Sequence, residues 1–154
     1  MGNRRHHTRH QCVGSHQEYV HVHLPIRDLP GLRLECVWAE PREDGALRIK
    51  NFPFLHPEVR YGDVIAATRR GNVYTFTRIV EESLNGNAII EYTGGHETFQ
   101  RLATAMRACG GMIEGARDGI ARVNAPPGAW PRVRALLDRE IAAGVVTIAA
   151  EQAP

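Results

Sequence analysis

A chain of 154 residues with 43% hydrophobic, 23% charged and 6% aromatic side chains falls in the globular range and outside the disordered, collagen-like and disulfide-dense classes. That length suits one domain, or two small subdomains that share packing. The formal net charge of +2 is too mild to mark a protein that lives on phosphate.

Lys50 is the only lysine among 19 basic side chains, a usage that reads as GC-rich coding before it reads as bidentate anion recognition. Cys12, Cys36 and Cys109 are scattered and form no CxxC or zinc-finger spacing, so a reducing cytoplasm fits, with no cofactor and no structural metal implied. No apolar run approaches the ~18 residues of a membrane span, and no membrane partner is expected.

Residues 1–16 contain Arg4, Arg5, Arg9 and several histidines, with no acid before Glu18 and no periodicity. They read as a disordered basic arm, either an inert leader or a segment that touches RNA through charge. From residue 17 the pattern turns to period two. Tyr19-Val-His-Val-His-Leu24 places Val20, Val22 and Leu24 on one face and Tyr19, His21 and His23 on the other, and Pro25 stops it. Residues 32–40 alternate as well, and the turn Pro41-Arg-Glu-Asp-Gly45 leads into 46–50 as a hairpin. A second hairpin joins 61–67 to 73–80 through the Arg69–Asn72 turn. After Asn85-Gly-Asn87, residues 88–92 form another strand.

Past Thr93-Gly-Gly95 the period becomes helical, with Phe99, Leu102, Ala103, Met106 and Cys109 on one stripe and Gly110-Gly111 as the stop. Two short strands follow at 112–114 and 119–123. Ala125-Pro-Pro-Gly128 launches a second helix with Trp130, Val133, Leu137 and Ile141 facing inward, and 145–149 is a last strand. The expected class is α+β: a small bent antiparallel sheet or barrel-like half (17–92) packed on a ferredoxin-like split βαβ half (88–150) with two helices, the Ala88–Tyr92 strand being shared.

The run Val37-Trp-Ala-Glu-Pro41, then Asp44-Gly45, Ile49-Lys-Asn-Phe-Pro-Phe54 and Tyr61-Gly-Asp-Val64 resembles the hallmark string of a bacterial family, domain of unknown function 4265. Val123-Asn-Ala-Pro-Pro127 and Leu136-Leu-Asp138 sit where that family places a strand end and a long helix, so the resemblance spans roughly residues 18 to 150. Phe52 stands where the family usually has an aliphatic residue, and the basic arm is a second departure. The resemblance implies a shape and a bacterial source; it implies no activity and no catalytic residues.

Few residues carry chemistry on their own terms. His21 and His23 can present two imidazoles to Zn²⁺ or Fe²⁺ only if a third ligand arrives from elsewhere, so they are weak metal candidates. Gly94-Gly95 lacks a GK[ST] tail and reads as a loop-to-helix turn rather than a phosphate loop. Asp63 after Tyr61-Gly62 is a lone carboxylate, read first as a turn or bulge.

The concentration of aromatics and prolines from Trp38 to Pro57 is either a hydrophobic joint or a partner-binding surface. On the second reading its candidate residues are Trp38, Glu40, Phe54, His56 and Asp63. With no readable catalytic set, the expected function is non-enzymatic binding of a protein partner, immunity-like or adaptor-like. RNA or ribosome binding through Arg4, Arg5, Arg9, Arg69 and Arg70 and the sheet surface is the alternative, although Glu81, Glu82, Glu91 and Glu97 interrupt the arginines of the folded part. An enzyme acting through His21, His23, His56 or Asp63 comes third.

Overall fold

A computed structural model describes residues 18–27, 30, 31, 33–56, 58–117 and 119–154. The arm with Arg4, Arg5 and Arg9 lies outside them. The described residues form nine strands and two helices in the order β1 (Val20–Pro25), β2 (Leu34–Pro41), β3 (Leu47–Ile49), β4 (Val64–Arg70), β5 (Val73–Glu81), β6 (Gly86–Tyr92), α1 (Gly95–Ala108), β7 (Met112–Arg117), β8 (Ile120–Ala125), α2 (Trp130–Ala142) and β9 (Val146–Gln152).

Strands β1 to β5 close into a barrel, each pairing antiparallel with the next. The seam between β1 and β5 is parallel, Val22 facing Tyr74 and His23 facing Thr75. The sheet is therefore not antiparallel throughout: four successive reversals leave the first and fifth strands of a meander running the same way. Alternation sets the inside. Val22, Leu24, Val37, Ala39, Leu47, Ile49, Val59 and Ile65 are buried together, with Tyr74, Phe76 and Ile79 packed against them.

The second sheet has the strand order β7-β8-β6-β9, every neighbouring pair antiparallel. Each helical crossover, β6-α1-β7 and β8-α2-β9, returns to a strand one place removed. The ladder partners of β6 are β8 and β9, because the β1/β5 seam has already used the barrel's edges. One face of this sheet carries Ala88, Ile90, Ala121, Val123 and Val146 into a core with Leu102 and Met106 of α1 and Trp130, Val133, Leu136 and Leu137 of α2. Phe99 and Cys109 pack at its margin, as the helical stripe predicts.

Two local readings differ. Ile141, expected inward, is exposed, and Glu140 takes the buried position instead. It can do so because Arg101 of α1 donates two bonds to it, at 2.9 and 2.7 Å. Those bonds hold the Glu140 carboxyl below its ordinary range against the opposing effect of burial.

Gly86, read as the middle of a turn, opens β6 and lies directly under the Trp130 indole, where a Cβ would overlap the ring. Gly86→Ala is expected to cost about 1–3 kcal/mol of stability by overpacking this contact. Chemical denaturation checks it, and an unchanged midpoint would show that the indole yields freely.

Candidate binding surfaces and the joint between the two sheets

The two sheets meet through buried polar groups. Asp63 has no exposed surface. Its Oδ2 accepts the Arg60 amide at 2.8 Å and its Oδ1 the Ser83 amide at 2.7 Å. The Ser83 hydroxyl accepts the Asn85 amide at 3.3 Å, and Asn85 Nδ2 donates to Oδ1 of the fully buried Asn124 at 2.9 Å. Asn124 Nδ2 donates to Asn87 Oδ1 at 2.8 Å, and Asn87 Nδ2 returns to the Asn85 carbonyl at 2.9 Å.

The chain of bonds runs from the loop before β4, past the end of β5, into β6 and β8. Gly62 lets it close: its φ is +88°, and a Cβ there would press on the Ser83 hydroxyl. Burial raises the Asp63 carboxyl above its ordinary range, with the Ser83 and Arg60 amides opposing that rise. The carboxylate is spent on loop geometry and is not presented to a partner.

A second clamp fixes the loop 50–56. The Glu35 carboxylate, on the inward register of β2, accepts the amides of Phe54 at 2.5 Å, Leu55 at 3.0 Å and His56 at 2.9 Å. From the other sheet, Glu114 accepts the Phe52 amide at 3.2 Å and Arg122 donates to the Phe54 carbonyl at 2.9 Å, its guanidinium 5.6 Å above the Phe54 ring. Phe52 is buried beside Tyr61, ring centroids 5.3 Å apart. The aromatic and proline concentration is therefore a joint across most of its length, and Phe54 is half-covered by it.

His56 is buried in the same loop. Its Nδ1 accepts the Val59 amide at 3.2 Å and the Glu58 amide at 3.3 Å, which requires a neutral ring protonated at Nε2. Burial lowers its pKa, opposed by the charges of Glu58 and Glu35.

Trp38 is placed differently. It lies on the outer face of β2, 46% exposed, with its ring edge-on to His21 at 3.7 Å between centroids. Its amide donates to Asn51 Oδ1 at 2.7 Å and its carbonyl accepts from the Lys50 amide at 2.9 Å, so the backbone under the indole is fixed. The pairs Pro25/Leu34, His23/Cys36 and His21/Trp38 share this face, and Tyr19 precedes it, also exposed. Glu40 follows on the same face and meets Lys50 Nζ at 3.2 Å.

His21 and His23 thus flank an aromatic strip. Among the described residues no group of three or more His, Cys, Asp or Glu is arranged to hold a metal. Arg69 and Arg70 are exposed at the tip of the β4–β5 hairpin, Arg69 folded back onto the Gly71 carbonyl at 2.8 Å and over the Tyr74 ring. No helix among the described residues is long and apolar enough to cross a membrane.

Sequence reading missed Glu35, Asn124 and Arg122. Glu35 carried a signal, a charge on the core-facing register of an alternating strand. Arg122 and Asn124 alternate with Ala121, Val123 and Ala125 and so resemble a solvated face until the barrel is placed against it.

The His56 geometry predicts a pH dependence. The folded pKa lies below the unfolded value of about 6.5, so this contribution to stability is complete above that pH. It is lost as acid protonates the unfolded ring first. Urea unfolding between about pH 7 and about pH 5.5 is expected to show falling stability that flattens in His56→Asn, which keeps an acceptor for the Val59 amide but does not titrate. Equal slopes in both proteins would refute it.

Comparison with known proteins gives the fold a context. No curated protein matches the chain. A crystal structure of a hypothetical protein from Neisseria gonorrhoeae superposes with a TM-score of 0.64 at 20% identity, covering 87% of this chain and 94% of that one. At that identity the likeness concerns the fold alone. The family model for the domain of unknown function DUF4265 matches residues 35–148, and the chain belongs to that family.

Proposed function

We propose that the protein is a non-enzymatic binding module of a bacterial cytoplasm that docks a protein partner on the outer face of β1 and β2, with Trp38 at the centre. The observation that carries this reading is the exposed indole on a rigid strand, with the His21 ring against it and the exposed Tyr19 and Leu34 further along. Large aromatics held in one conformation lose little entropy on binding and make good anchors. Glu40, at the end of the strip, supplies a charged rim paired with Lys50.

The buried titratable groups support the same reading from the other side, because Asp63, His56 and Glu140 are each engaged in bonds that build the fold. Cys36 and Cys109 are free thiols, consistent with a reducing compartment.

The strand order β7-β8-β6-β9 with two split crossovers supports a ferredoxin-like reading of the C-terminal half. That topology also motivates the second reading, RNA binding, which the exposed Arg69 and Arg70 at a hairpin tip favour.

The test is capture of the tagged full chain from its host with and without nuclease, repeated with Trp38→Ala. The proposal expects a stoichiometric, nuclease-resistant protein whose affinity falls by more than about 1 kcal/mol in the variant while the unfolding midpoint stays put. Ribosomal or other RNA lost on nuclease treatment would replace it with the second reading.

A further inference from the structure

The outer face of the second sheet, opposite its helices, is only partly covered by the barrel. Between that face and the loop carrying Arg60 lies a cleft of about 210 Å³, lined by Arg60, Asn87, Ile89, Arg122, Ala150 and Gln152. We infer that this cleft is a binding site for a small organic oxyanion, a carboxylate or phosphate group on a short apolar body, held by Arg122 and Arg60.

Arg122 and Arg60 are compensated through space, by Glu35 and Asp63, rather than by an ion pair among the described residues. Arg122 is half-buried over the Phe54 ring, and its Nε is buried with no hydrogen-bond partner among the described residues. Among the described residues its side chain makes one hydrogen bond, from Nη2 to the Phe54 carbonyl, a neutral acceptor. Among the described residues, the ion pairs leave out both Arg122 and Arg60. The nearby carboxylates are already occupied. Glu35 acts on Arg122 through space, yet its oxygens accept three loop amides. Glu114, opposite Arg122 in the β7–β8 register, holds the Phe52 amide, and Glu151 at the cleft margin is paired with Arg134 at 2.9 Å.

A guanidinium withdrawn from water without a carboxylate in hydrogen-bond contact is costly, and burial holds Arg122 below the ordinary arginine range, with Glu35 opposing. An anion entering beside Arg122, with Arg60 also lining the cleft, offsets that cost and gains charge-assisted bonds.

The remaining lining fixes the ligand class. Ile89 and Ala150 face each other across the β6–β9 pair and supply an apolar floor. Gln152, opposite Asn87, supplies a neutral amide at the end of that floor, while the Asn87 amide stays bonded to Asn124 and the Asn85 carbonyl. The small volume admits a ligand of few heavy atoms, not a polymer segment. The cleft uses none of the residues of the Trp38 strip, so the two proposals fail independently.

The experiment is a ¹H–¹⁵N NMR titration of the full chain, including arginine Nε resonances, with inorganic phosphate, acetate and butyrate against chloride at matched ionic strength. The inference expects saturable shifts at Arg60, Asn87, Arg122 and Gln152. It also expects affinity for the best anion to fall about ten-fold in Arg60→Gln and in Arg122→Gln. Arg122→Gln also removes the Phe54 bond, so Arg60→Gln, which among the described residues breaks no side-chain hydrogen bond and keeps the Arg60 amide on Asp63, is the decisive variant, with its unfolding midpoint checked because Arg60 also acts on Asp63 through space.

A response to phosphate alone assigns a phosphorylated ligand, and one that strengthens from acetate to butyrate assigns a carboxylate with an apolar body. Shifts that never saturate, that spread over the other exposed arginines, or that persist unchanged in Arg60→Gln would overturn the inference.

Discussion

Buried polar groups at the contact between the barrel and the second sheet need partners inside the protein, and apart from Arg122 Nε the fold supplies them. Asp63, Ser83, Asn85, Asn87 and Asn124 form one continuous set of bonds across the contact. Such a network is stabilising only when each member is satisfied; a missing member leaves a buried donor or acceptor at a cost of about 1–3 kcal/mol. The requirement fixes the relative placement of the two sheets more tightly than apolar packing would, because hydrogen bonds are directional and apolar contact is not.

The surfaces follow from that placement. With the loop 50–56 held by Glu35 on one side and by Glu114 and Arg122 on the other, the barrel presents a fixed outer face at Trp38, and the second sheet keeps an open strip beside Arg60. The first surface is apolar and faces away from the joint; the second is cationic and belongs to it. Arg122 links the two ideas, because the residue that clamps the Phe54 carbonyl also lines the cleft. A structural arginine that reaches its position without a carboxylate partner is a cation ready for an external one.

Much of this architecture was legible in the sequence. Period-two alternation located β1 to β5, and the change to helical period at Phe99, Leu102 and Met106 located α1, because those patterns reflect which side chains must leave water. For Trp38 the sequence left open a hydrophobic joint or a partner surface; its exposure beside His21 follows from the β1–β2 pairing, which the local pattern does not contain.

Asp63 and His56 were singled out for their chemistry, and what decides their roles is the backbone amides within reach, which only the folded loop reveals. The parallel β1/β5 closure, Glu140 replacing Ile141 in the core, and the pairing of Asn124 with residues far away in the chain all depend on long-range register. Local patterns carry no information about which distant element will arrive.

The central claim is that the barrel and the second sheet form one body, held by this polar joint. Native-state hydrogen exchange of the Phe54, His56, Arg60 and Ser83 amides tests it most directly. They lie in loops, yet each donates to a carboxylate of the joint. The account predicts that they exchange only with the free energy of global unfolding, together with the core strands. Exchange of these four at rates near those of the exposed 71–72 turn, while β6 and β8 remain protected, would show two units that open independently and would contradict it.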